Sequence, residues 1–150
     1  FTALIGRPRS GKTSLLISLF SDKNLLKMTY DNVILVAPQA SLNSIDKRDN
    51  PFRKLPDERR YTSMDSIPQI RDQVMFYASE GHDSIIIIDD ETASLKDTHI
   101  QREFQDIINN RRHYKCSIML LTQTYKSMPL PIRKLVDIGI IMYRPSKPDL

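Results

Sequence analysis

The chain has one cysteine, Cys116, in 150 residues. A lone thiol excludes an internal disulfide framework and fits a reducing compartment. Long apolar runs are also missing, and none approaches the ~20 residues that a membrane-spanning helix needs. No secretory leader is expected, because Phe1 already opens a short apolar run suited to a core strand. The sequence shows no internal repeat and no low-complexity tract. His82 follows a predicted helix in a turn, and nothing near it has metal-ligand spacing. No guanine-recognising N/T-K-x-D follows an apolar strand, which argues against a GTPase. Neither sign of charge dominates: the net charge of +4 and the pI near 9.2 give a modest preference for polyanions, with 18 acidic residues interspersed. Apolar residues make up 40% of the chain, enough for one compact domain over 1–150, open to truncation at either end.

Against these absences stands one stretch, Gly6-Arg7-Pro8-Arg9-Ser10-Gly11-Lys12-Thr13, with the pattern G-x-x-x-x-G-K-T of a phosphate-binding loop. Phe1 to Ile5 precedes it as a buried strand, and Ser14 to Phe20 follows as the first turns of a buried helix. In such a loop the backbone N–H groups cradle phosphate oxygens, and the positive end of the helix adds to the attraction. Gly6 and Gly11 permit close approach, Lys12 carries a charge to the β- and γ-phosphates, and Thr13 offers a hydroxyl to Mg²⁺. The expected nucleotide-binding set is therefore Gly6, Arg7, Pro8, Arg9, Ser10, Gly11, Lys12, Thr13 and Ser14. Pro8 is unusual there, because it cannot donate an N–H.

Further strands are predicted at Val33–Ala37, Ile85–Ile88, Cys116–Leu121 and Ile138–Tyr143. Four consecutive isoleucines imply a strand buried on both faces, as in a parallel sheet. Asp89-Asp90-Glu91 lies where that strand ends. Asp89 is assigned to the metal and Asp90 to polarising the attacking water, with Asp90 and Glu91 as the shifted alternative. Thr122-Gln123-Thr124 ends the next strand, and Gln123 is either a γ-phosphate sensor or a strand-end hydrogen-bonding residue. Helices are expected over Ile67–Glu80, capped by Ser66, and over the segment after Asp97 or Thr98, with a short one near Pro129–Leu135. Gln39 to Tyr61 has no sustained period and a local excess of positive charge, which reads either as a solvated excursion or as a basic surface for nucleic acid. The tail Arg144–Leu150 reads as a linker or the start of another element.

Strands alternating with helices argue an α/β sandwich, a parallel sheet covered by helices, with ligands at the carboxyl ends of the strands. Numbering the five predicted strands in chain order, the carboxylate pair on the third and the polar end of the fourth suggest the order 5-1-4-3-2. This order resembles the P-loop NTPase (RecA/FtsK-like ASCE) arrangement.

The set GRPRSGKT (6–13), IIIIDD (85–90), NNRRHY (109–114) and LTQTY (121–125) resembles the poxvirus-type DNA-packaging ATPases of the FtsK/HerA superfamily, over nearly the whole chain. The resemblance implies ATP and Mg²⁺ as ligands, with Lys12, Thr13, Asp89, Asp90 and Gln123 in the roles above. It implies that Arg111 or Arg112 acts across a subunit interface as an arginine finger; the plain reading of that pair is a solvated end of a helix. Arginines inside the phosphate loop depart from the family's more usual small residues. The resemblance further implies a motor that moves double-stranded DNA, working as a homo-oligomeric ring (pentamer or hexamer) at a capsid or procapsid vertex. Its place would be the host cell interior at the viral assembly site, and the virion. Lys47 to Arg60 and Lys126 to Lys134 are the expected DNA surfaces. Competing readings are a filamentous-phage-type assembly ATPase, a P-loop small-molecule kinase and a non-hydrolysing nucleotide-dependent scaffold.

Overall fold

Six strands line up side by side in a computed structural model that describes residues 1–39, 41 and 50–143. They are β1 (Thr2–Gly6), β2 (Asn32–Val36), β3 (Arg60–Tyr61), β4 (Ser84–Asp89), β5 (Cys116–Thr122) and β6 (Ile138–Met142), in the order β3-β2-β4-β5-β1-β6. Every pairing is parallel. The helices are α1 (Lys12–Ser21), α2 (Ile67–Ser79), α3 (Thr98–Asn110) and the short α4 (Leu130–Arg133).

Side-chain alternation explains the two layers. Ala3, Ile5, Ile34, Val36, Ile86, Ile88, Ile118 and Leu120 point to one face, where they bury Ile70 and Val74 of α2 and Phe104, Ile107 and Ile108 of α3. Leu4, Leu35, Ile85, Ile87, Met119 and Leu121 point to the other, against Leu16 and Phe20 of α1 and Phe52. The four isoleucines of β4 therefore serve both layers, and none is more than 2% exposed. This is why that run carries no alternation in the sequence.

The five predicted strands keep the order 5-1-4-3-2, and the sheet differs by one addition. β3 extends the edge beyond β2, with Leu35 level with Arg60 and Val36 with Tyr61. Two residues that follow 3₁₀ turns at Pro51–Lys54 and Asp57–Arg59 carry no period, so pattern reading misses them. Part of the basic excursion thus belongs to the sheet; its Lys47 and Arg48, and the tail 144–150, lie outside the described residues.

One of the two expected caps differs. Ser66 makes no side-chain cap for α2. A 3₁₀ turn, Met64–Ser66, leads into the helix instead, and Ser63 Oγ caps that turn by accepting from Asp65 N. At α3, Asp97 is the cap, accepting from His99 N at 2.8 Å and Ile100 N at 3.2 Å. Gly81 follows α2 at φ 80°, a left-handed turn that suits glycine.

Cys116 opens β5 and is 7% exposed. Burial pushes its thiol up to about 12. The folded state therefore holds the thiol proton more tightly than the unfolded chain, whose thiol ionises near ~8.5. Any contribution of Cys116 to stability is complete below that value and is lost as pH rises from there toward about 12. Native protein at pH 8 should accordingly resist alkylation, with labelling at least about 100-fold slower than in denaturant. Equal labelling rates in the two states would contradict this burial.

Candidate nucleotide-binding site

A parallel sheet brings the last residues of its strands to one edge, here Gly6, Asp89 and Thr122. The loop 7–11 leaves β1 at that edge and re-enters as α1. Ser10 N donates to Arg7 O at 3.1 Å, and Leu15 N donates to Gly11 O at 2.8 Å to start the helix. Arg9 at φ 60° and Gly11 at φ 95° occupy the left-handed region, the backbone from which anion-binding nests are built. Gly6 is needed for space rather than for its φ. A Cβ there would run into Ser10 Oγ and come within 3.1 Å of both the Cβ and the carbonyl oxygen of Met142. Ser10 Oγ is itself buried, with no hydrogen-bond partner among the described residues. Lys12 Nζ donates to Gly6 O at 2.5 Å and to Arg7 O at 3.2 Å, which holds the ammonium across the loop.

Asp89 ends β4 half-buried, beside Asp90. Burial pushes the Asp89 carboxyl above the usual carboxylate range, Asp90 pushes it further, and Lys12 pulls it back. Asp90 is exposed and sits at φ 57°, a conformation that aspartate tolerates better than most residues. Two contacts hold it: its N–H donates to Leu121 O at 3.3 Å, and its Oδ1 accepts from Gln123 Nε2 at 3.3 Å. A cleft of about 180 Å³ gathers Pro8, Arg9, Lys12, Thr13, Ser41, Asp89, Asp90 and Gln123. Four separate stretches of sequence supply it.

Glu91 does not line this cleft. Its Oε2 accepts from Ser94 Oγ at 2.9 Å, in the turn that follows. The structure thus groups Asp89 with Asp90 rather than Asp90 with Glu91. Ser14 stands exposed on the first turn of α1, and Arg7 faces an adjoining cleft. Two contributors escaped sequence reading. Ser41 follows Pro38 in a stretch without period, and Met142 reaches the phosphate loop only because β6 pairs with β1.

Arg111 and Arg112 lie at the other end of the sheet. α3 runs back to the amino end of β5, so the residues joining them lie a strand length from the loop. Arg111 donates to Ile108 O at 2.7 Å and to both carboxylate oxygens of Asp137, at 2.9 and 3.2 Å. Arg112 is exposed and makes no ion pair among the described residues. Both line a separate cleft of about 420 Å³, with Tyr30, Asp83 and Lys115. Within one chain, neither arginine joins the phosphate loop.

The residues present fit a nucleotide with magnesium. The loop's tight path leaves no room for a Cβ on Gly6, its Arg9 and Gly11 backbone is left-handed, and Ser10 Oγ is an orphaned polar atom within it among the described residues. Among the described residues no group of three or more His, Cys, Asp or Glu side chains is placed to hold a metal. Thr13 and Asp89 supply one hydroxyl and one carboxylate, the sparse donor set typical of magnesium, which keeps waters and takes phosphate oxygens from its substrate.

No curated protein sequence matches the chain. Solved structures share its fold. The genome packaging NTPase B204 of Sulfolobus turreted icosahedral virus 2, in complex with AMPPCP, superposes with a TM-score of 0.71 at 15% identity, over 97% of this chain and 76% of that one. PCH-2 of C. elegans gives 0.59 at 19% identity, over 97% and 36%. The Holliday junction branch migration motor RuvB of Thermotoga maritima gives 0.56 at 12% identity, over 93% and 36%. The chain spans about a third of the length of PCH-2 and of RuvB. At these identities the likeness establishes the fold, that of the P-loop ATPases. The family model described as Poxvirus A32 protein matches residues 1–141, a span that contains the phosphate loop, both aspartates and Gln123, and the chain belongs to that family.

Proposed function

We propose that the chain is the ATP-hydrolysing core of a motor that packages double-stranded viral DNA. The observation that carries this is the single cleft joining Lys12, Thr13, Asp89, Asp90 and Gln123 at the carboxyl edge of the sheet. Membership of the Poxvirus A32 family and the shared fold with a genome packaging NTPase support it.

Bound magnesium would supply positive charge at the phosphates, with Thr13 and Asp89 facing it. The chain's own groups do the rest. The Lys12 ammonium neutralises charge on the β- and γ-phosphate oxygens, exchanging its carbonyl partners in the loop for them. Asp90 orients a water and accepts its proton as that water attacks the γ-phosphorus. Gln123, already hydrogen-bonded to Asp90, fixes the carboxylate and presents its amide to the same region.

DNA would be held through phosphate contacts in a homo-oligomeric ring, pentameric or hexameric, at a capsid or procapsid vertex inside the host cell. The basic segments divide by what their charges already touch. Arg59 stacks on Tyr77, Arg60 pairs with Asp57, and Arg133 lies over Tyr125. Lys54, Lys126 and Lys134 are exposed and make no ion pair among the described residues. They are the better candidates for backbone contact.

The test is steady-state ATP hydrolysis with and without double-stranded DNA. DNA should stimulate turnover, Asp90→Asn should lower it by about 10²–10⁴-fold, and Glu91→Gln should leave most of it. Turnover indifferent to DNA, or ATP binding without turnover, would overturn the motor reading; transfer to a nucleoside would point to a kinase instead.

The distance of the arginines from their own phosphate loop means that an arginine finger here would act on a neighbouring subunit. Arg112 is the better placed, because Arg111 is already held by Ile108 and Asp137. Mixing Arg112→Ala with Lys12→Ala subunits should restore part of the turnover that each loses alone. No recovery in mixed rings would count against action across the interface.

A further inference from the structure

We propose that the carboxyl end of β6 is the seat of the nucleobase, which stacks on Tyr143 with Met142 beneath it. This rests on the nucleotide reading above and adds where the base lies and how it is held. A cleft of about 270 Å³ adjoins the phosphate loop, lined by Gly6, Arg7, Gln123, Ile141, Met142 and Tyr143. It shares Gln123 with the cleft that holds Asp89 and Asp90, so the two adjoin at that side chain.

Packing ties β6 to the loop. Met142 stands level with Gly6 across the parallel pair and packs into the layer beneath α1. A Cβ on Gly6 would lie 3.1 Å from Met142 Cβ, and one on Gly11 would lie 3.4 Å from Met142 Cε. A ligand seated against both glycines therefore meets the Met142 thioether as soon as it leaves the loop. Beyond it, Ile141 and Tyr143 are 78% and 83% exposed. Large apolar side chains left in water at the rim of an anion site call for an apolar cover. A planar heteroaromatic ring fits: it stacks on the tyrosine face and takes a polarizable sulfur contact from methionine.

The same geometry limits base selectivity. The polar side chains at this cleft, Arg7, Gln123 and Tyr143, are all exposed, and one Gln123 N–H is held by Asp90. A site rejects an analogue strongly only where its own buried polar groups would be left unpaired. Stacking alone distinguishes adenine from guanine weakly, so ATP and GTP should bind within a few-fold of each other.

Calorimetric titration of wild type, Tyr143→Ala and Tyr143→Phe with ATP, GTP and inorganic tripolyphosphate in Mg²⁺ buffer tests this. Tyr143→Ala should weaken both nucleotides by about tenfold or more, as loss of a stacked base does, and leave tripolyphosphate unchanged. Tyr143→Phe should stay within about twofold of wild type, since the ring rather than the hydroxyl is used. Unchanged ATP affinity in Tyr143→Ala, an equal loss for tripolyphosphate, or a preference for one purine above about a hundredfold would overturn the seat while the nucleotide reading stands. Wild type that binds none of the three ligands would overturn both.

Discussion

Replacing Lys12 with alanine is expected to remove ATP binding and lower hydrolysis by at least about 10²–10³-fold, with little change in the stability of the ligand-free fold. The asymmetry follows from what the ammonium touches. Its two partners are carbonyl oxygens of its own loop, Gly6 O and Arg7 O, and the second bond is exposed. Such bonds contribute about 0.5–1.5 kcal/mol each in net terms, and water replaces the exposed one. Phosphate oxygens ask more of the same group. They are multiply charged, and among the described residues no other lysine or histidine lines the cleft that also holds Asp89 and Asp90. Without Lys12, those two carboxylates would face an anion with Arg9 the one cation opposing them among the described cleft residues. Thermal unfolding and nucleotide titration of the same preparation separate the two effects. A variant that still binds ATP within tenfold of wild type would show that the loop backbone alone suffices, and the role given to Lys12 would fail.

Much of this site was legible before any coordinates, and the reasons are physical. The phosphate loop is local: eight consecutive residues between a strand and a helix carry both the turn and the charge. Four isoleucines buried on both faces made β4 unmistakable, and a parallel sheet then placed Asp89 and Asp90 at the loop's edge. The partition of roles was less legible. Only three-dimensional placement turns Glu91 toward Ser94 and brings Gln123 within reach of Asp90. Ser41 and Met142 were invisible because their nearness to the loop depends on strand neighbours distant in sequence. β3 was missed because two residues have no period, and Ser66 holds the N-cap position of α2 without a side-chain bond because a turn capped by Ser63 precedes the helix. The arginines show the converse. A motif placed beside the others in a sequence comparison lies, in the folded chain, at the opposite end of the sheet, joined to Asp137.

Asp89→Asn should stabilise the ligand-free protein and, on the proposed metal-facing role, abolish most of its turnover. Burial and the neighbouring Asp90 raise its pKa, and Lys12 only partly compensates. An acid whose folded pKa lies above its unfolded value binds its proton more tightly when folded. Its ionisation therefore opposes folding, and that opposition grows as pH rises through the carboxylate range. Asparagine keeps the shape and removes the charge. At pH 7 without nucleotide, the variant's Tm should exceed that of wild type. Toward pH 4 the gap should close as Asp89 takes up its proton. Magnesium and ATP should reverse the order: wild type gains stability by binding them, and the variant, lacking a metal-facing carboxylate, gains less. An unchanged or lower Tm in ligand-free Asp89→Asn would mean that the carboxylate is already satisfied by the protein. It would then be a structural anchor of β4, and the metal-facing role would have to pass to another residue of the cleft.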